Sequence, residues 1–157
     1  MFVIRKKCFC RKLKINYFYG MLKKIISVKH HSGTLSFSLL LLRLMAGIGM
    51  LTHGYPKLQK LLSGDMSFGD PIGVGEEASL ILAVFAEFLC SLLVVFGLFT
   101  RLAVIPLMVT MSVVVFIVHS GDGFGKQEKA LMYLVMFLVL LVAGSGKFSI
   151  DKLMSKK

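Results

Sequence analysis

Disulfide-forming potential is nearly absent: only three cysteines occur in 157 residues. Cys8 and Cys10 sit in a basic N-terminal stretch and Cys90 lies inside an apolar run, so no disulfide framework is expected and the fold must rest on packing. Cys8-Phe9-Cys10 is a short pair suited to a metal or a palmitoyl group but has no further ligands beside it, so no metal site is expected. A glycine-rich phosphate loop is missing, and no nucleophile has an evident base partner. Acid is scarce as well, with 8 Asp and Glu against 19 Lys and Arg for a formal charge of +11. The basic residues gather beside hydrophobic runs instead of striping a polar domain, which makes anionic lipid headgroups the expected partner and nucleic acid not one. No internal repeat is evident, and the alternating ten-residue rhythm of a membrane β-barrel is lacking.

What the chain does have is apolar length. Hydrophobic residues make up 56% of it and the mean hydropathy is +0.80, too apolar for an ordinary soluble domain. The pattern predicts an all-α, polytopic membrane protein, a bundle of four transmembrane helices. The first span runs from Leu35 to about Thr52, interrupted by Arg43. His53-Gly54-Tyr55-Pro56-Lys57 follows as a break, and Leu58 to Leu62 reads as a separate short helix at the interface. A loop from Gly64 to Gly75 leads to a second span, about Glu77 to Phe99, with Glu87 near its middle. Only Thr100 and Arg101 separate it from the third, Leu102 to His119, which forces an antiparallel pair. The turn Ser120 to Gly125 precedes a fourth span from about Gln127 to Ala143, ended by Gly144-Ser145-Gly146.

Charge sets the expected orientation. Residues 1–34 carry nine Lys or Arg and no acid, and read as a basic cytoplasmic tail; Met21-Leu22-Lys23-Lys24 resembles an independent start, so the first twenty residues are also read as a leader extension. A cleaved secretory signal is the competing reading, set aside because the apolar stretch is too long and lacks a clear cleavage site. Residues 35–151 form the membrane domain and 152–157 a basic cytoplasmic tail. Counted outside the spans, 14 basic residues fall on one side (nine in the tail, Arg101, and four after the last span) and 4 on the other. Both ends are therefore placed in the cytoplasm.

Arg43 and Glu87 are the unusual positions, since a lone charge at bilayer mid-depth costs about 2.5–3.5 kcal/mol on insertion scales. Their depths differ by about 6 Å at 1.5 Å per residue, so the two are expected to pair. Such a pair can fix helix packing, or serve as a proton-handling or ligand-anchoring site. His53 and His119 both fall toward the outer face, where an imidazole can titrate, meet a quinone carbonyl, ligate haem, or simply hydrogen-bond water. Cys90 joins Ser79, Ala83 and Ala86 in a stripe of small residues suited to close helix contact, and is read as packing ahead of a redox thiol. Pro106 falls near the start of its helix, where the lost bond to Leu102 costs least. Glu128 and Lys129 face the interface, with lining of an outward cavity as the minor alternative.

Five short pieces in register resemble the DoxX family of small four-helix inner-membrane proteins. They are the first-helix set of Arg43-Leu44 with Gly47 and His53-Gly54 with Lys57-Leu58; Glu87; Gly97 to Ala103; Glu128 to Leu131; and Gly144 to Asp151. The resemblance covers about residues 39–151. It implies a multi-pass protein of the bacterial inner membrane, a subunit of a quinone-linked oxidoreductase or of an oxidative-stress complex with a soluble or membrane redox partner. On this reading Glu87 and Arg43 form the catalytic polar centre, while His53, Lys57 and His119 are the candidate contacts to a quinone cofactor. Two other classes stand beside it: a non-catalytic scaffold or assembly factor for a soluble enzyme, and a small-molecule or lipid permease, which would need a homo-oligomer.

Overall fold

The computed structural model describes residues 33–155, and every regular element among them is a helix. The basic tail, Cys8, Cys10 and the alternative start at Met21 lie outside the described residues. Helix α1 is Gly33–Leu62, α2 is Glu76–Phe96, α3 is Thr100–Val118, α4 is Phe124–Ala143, and a short α5, Ile150–Met154, follows.

The expected break after Thr52 does not occur, because α1 runs unbroken through Pro56 for 30 residues. Proline removes one hydrogen bond, to the carbonyl four residues earlier, and packing across the break can outweigh that loss. Here Gly54 lies flush on α2: a Cβ built there would fall 2.6 Å from the Glu87 carbonyl carbon. At 1.5 Å per residue α1 measures about 45 Å, longer than the roughly 30 Å hydrocarbon core, so the residues of the expected interface helix form its projecting last turns.

Helix α2 stops three residues earlier than the sequence suggests, at Gly97, whose φ of 69° is a left-handed C-terminal cap. Phe99 is also left-handed, at φ 48°, which lets the chain reverse into α3 within three residues. Both central helices contain a π-helical turn, Phe85–Cys90 in α2 and Val114–Val118 at the end of α3. Such turns re-aim side chains and recur at functional sites; one holds Glu87 and the other runs directly into His119.

Three helices, α1, α2 and α3, are long and apolar enough to cross a membrane. The fourth expected span is a helix of 20 residues, but Lys126, Glu128 and Lys129 occupy its beginning and only Ala130 to Ala143 is uninterrupted. That apolar stretch rises about 21 Å, so its crossing depends on those charges lying among headgroups. The four helices share one core of Ala46, Met50, Cys90, Val94, Leu107, Met111, Phe137 and Leu140 among others. Ser79, Ala83, Ala86 and Cys90 are all buried, as their spacing predicts for a close helix contact. Large apolar side chains such as Met45, Phe116 and Val142 point outward, a surface suited to acyl chains.

Candidate functional site

The expected Arg43–Glu87 pair is not formed. Both residues are 2% exposed, but Arg43 donates from Nη1 to the Ser145 carbonyl and from Nη2 to the Phe148 carbonyl, each at 2.7 Å. Glu87 instead accepts from Lys57 Nζ at 2.5 Å. The cause is helix register. Gly54 packs on Glu87, Gly47 packs on Ser91 and Val95, and a Cβ at Gly97 would meet Arg43 Nη1 at 2.6 Å. Glu87 is thus level with Gly54, eleven residues or about 16 Å from Arg43 along α1. Side-chain direction adds to the separation, since Cα–Cβ bonds tilt toward the helix N-terminus. In the antiparallel pair Arg43 leans toward the start of α1, whereas Glu87 and Lys57 lean toward one another.

Arg43 belongs to a polar knot at the end of the bundle where α1 begins and α4 ends. The Asp151 carboxylate accepts from the Phe99 and Thr100 backbone N–H groups at 2.7 and 3.1 Å, capping α3, and the Asp151 N–H donates to the Gly97 carbonyl at 2.9 Å. Ser149 Oγ caps α5 by accepting from the Lys152 N–H. Arg101 donates to the Val142 carbonyl at 3.2 Å. The segment from Gly144 to Asp151 is thereby stapled across the α2–α3 turn. Arg43 satisfies carbonyls that would otherwise be orphaned beyond the end of α4. Its role here is structural.

A cavity of about 440 Å³ opens at the other end, lined by His53, Lys57, Glu87, His119, Lys129 and Tyr133 among its polar residues. All three candidate quinone contacts, His53, Lys57 and His119, therefore come together with Glu87. Met50, Met111, Val114 and Ala130 supply apolar wall. His53 meets the Tyr133 ring edge-on at a centroid distance of 6.1 Å, and Tyr133 stacks on Phe137 at 6.0 Å. Lys57 also lies over the Phe68 ring at 5.4 Å, which draws the loop before α2 against the site. That loop is tied down by Asp70, which accepts from the Val74 and Gly75 N–H groups and from Ser79 Oγ.

The far rim is a charge network. Asp122 lies 2.8 Å from His119 Nδ1 and accepts from Lys126 Nζ at 2.9 Å, while Gln127 Nε2 donates to the His119 carbonyl at 2.6 Å. The Lys126 ammonium, and after it His119, hold the Asp122 carboxyl below its ordinary range. Lys126, Lys129 and Tyr133, spaced by three and four, present one face of α4 to the cavity. That spacing was the sequence signal for them; Glu128 does not line the cavity. Glu87 is ionisable, buried and only half satisfied: Oε1 has Lys57, and Oε2 has no hydrogen-bond partner among the described residues. No group of three or more His, Cys, Asp or Glu able to hold a metal occurs among them.

The family model of DoxX matches residues 38–120. A Haemophilus influenzae protein described as uncharacterized is 30% identical over 132 residues, covering 77% of this chain and 93% of that protein. Another uncharacterized protein of the same species is 31% identical over 78 residues, 47% of this chain, and the match spans about half of that relative, 52%. No solved structure matches the chain.

Proposed function

Since this chain belongs to the DoxX family of membrane proteins, we propose that it is the membrane subunit of a quinone-linked oxidoreductase, or of an oxidative-stress complex, in the bacterial inner membrane, with both ends cytoplasmic. The observation that carries this reading is the cavity where Lys57, Glu87, His53 and His119 converge above an apolar floor. Its volume falls within the roughly 300–1,000 Å³ of small-molecule sites, and its mix of apolar wall and few directed polar groups is what a flat aromatic headgroup requires. Lys129, Tyr133 and the imidazoles supply donors for ring oxygens. The exposed Met45 and Phe116 mark the lipid-facing exterior from which a hydrophobic tail would enter. In this reading Glu87 is the proton-handling group, Lys57 positions its carboxyl through Oε1, and His119, oriented by Asp122, serves the rim.

The test is direct. The purified protein in lipid nanodiscs is titrated with 2,3-dimethoxy-5-methyl-1,4-benzoquinone, beside extraction of any quinone retained from the cell. Saturable binding weakened by His119→Ala and by Lys129→Met supports the reading. Binding that is absent, or unchanged in both variants, removes the cavity as a quinone site.

A further inference from the structure

Glu87 Oε2 is a buried acceptor with no hydrogen-bond partner among the described residues. This oxygen belongs to a carboxylate that is 2% exposed, lines the cavity, and gives its other oxygen to Lys57. A buried acceptor without a donor keeps its desolvation cost until a ligand brings one. Lys57 is committed to Oε1, and Lys126 to Asp122. Lys129 forms no ion pair among the described residues, so the cavity wall holds one unpaired acceptor, covered in this structure and reached by a turn of the Glu87 carboxyl group, and one ammonium donor without a counter-ion. A quinone oxygen only accepts. A hydroquinone oxygen both donates and accepts.

We propose, resting on the quinone-site reading above, that this cavity selects the hydroquinone over the quinone, with one ligand O–H donating to Glu87 Oε2 and the opposite ring oxygen accepting from Lys129. The quinone satisfies Lys129 but leaves Oε2 unpaired. A hydrogen bond to a charged group is worth enough to give the reduced form an advantage of about tenfold to a hundredfold. Each factor of ten raises the midpoint potential of the bound two-electron couple by about 30 mV.

Glu87→Gln provides a discriminating substitution, because the pair with Lys57 fixes the orientation of the new amide. Lys57 can only donate, so the glutamine oxygen stays at the Oε1 position and its NH₂ group falls where Oε2 was. One acceptor becomes one donor at nearly constant volume. Binding of 2,3-dimethoxy-5-methyl-1,4-benzoquinone and of its hydroquinone is measured anaerobically on the full-length protein in nanodiscs. The expected result is tighter binding of the hydroquinone by at least tenfold, with Glu87→Gln removing that preference because both forms can accept from the new amide; a preference that survives Glu87→Gln overturns the assignment to Oε2. Lys129→Met should weaken both forms and leave their ratio unchanged. Equal affinities, or a wild-type preference for the quinone, overturn the proposal while leaving the quinone site standing. Failure to bind either form defeats the site itself. Should Glu87→Gln not fold, the wild-type ratio alone decides.

Discussion

Removing the two members of the Lys57–Glu87 pair one at a time should have very unequal consequences. Glu87 is 2% exposed, whereas the Lys57 side chain is 26% exposed and reaches the cavity mouth. Lys57→Met strands a carboxylate in the bundle, and breaking a buried pair in that way costs about 3–5 kcal/mol. Glu87→Gln is milder. The amide still accepts from Lys57, whose ammonium can also reach water, so the loss is the difference between a charged and a neutral hydrogen bond, about 1–2 kcal/mol. The double variant removes the stranded charge and should be more stable than Lys57→Met alone, giving a coupling of about 1–3 kcal/mol. All four proteins would be compared at pH 7 by reversible unfolding in mixed micelles, following helix content and the accessibility of a cysteine-reactive probe at the buried Cys90. If Glu87→Gln proves as damaging as Lys57→Met, or if the two losses simply add, then the carboxylate is not held by Lys57 in the way the geometry implies.

Gly54→Ala sets a helix-propensity gain of about 1 kcal/mol against overpacking of about 1–3 kcal/mol, since its Cβ would lie 2.6–2.8 Å from the Glu87 and Phe88 backbone. Net destabilisation and weakened ligand binding are expected, with Gly33→Ala, which meets nothing, as the control; equal behaviour of the two would contradict the close approach. Arg43→Lys keeps the charge but cannot span the Ser145 and Phe148 carbonyls as a fork, so the C-terminal staple should become protease-sensitive at a cost of about 1.5–3 kcal/mol. Cavity binding should be untouched, and impaired binding would mean that Arg43 acts at the site after all. The Asp122 carboxyl is held low in the folded protein, so its stabilising contribution is complete above the ordinary carboxylate value of about 3.9 and fades as pH falls through the lower folded value. Asp122→Asn should therefore loosen the α3–α4 turn at pH 7 yet differ less and less from wild type as the pH falls through the lowered folded value, as read from the NMR chemical shifts of His119.

The sequence alone determined the solvent in which this chain folds, and with it the helical class. Apolar runs of this length leave backbone groups no partners except their own helix, and clustered lysine and arginine set the expectation of an inner and an outer side. The convergence of His53 and His119 at one end was legible as well, since both follow apolar runs that finish at the same face, although α1 continues past His53 to Leu62. Which charges meet was not legible. Spans counted from hydropathy place Arg43 opposite the middle of α2, but glycines at 47 and 54 let α1 slide until Gly54 faces Glu87. That slide moves Arg43 out of reach and brings in Lys57. Continuation through Pro56 was equally hidden, because a broken helix and a packed one share the same local sequence and differ only in what lies alongside. The half-satisfied carboxylate follows from both facts: composition put an acid in the membrane, and only tertiary packing gave it one partner and left its second oxygen open.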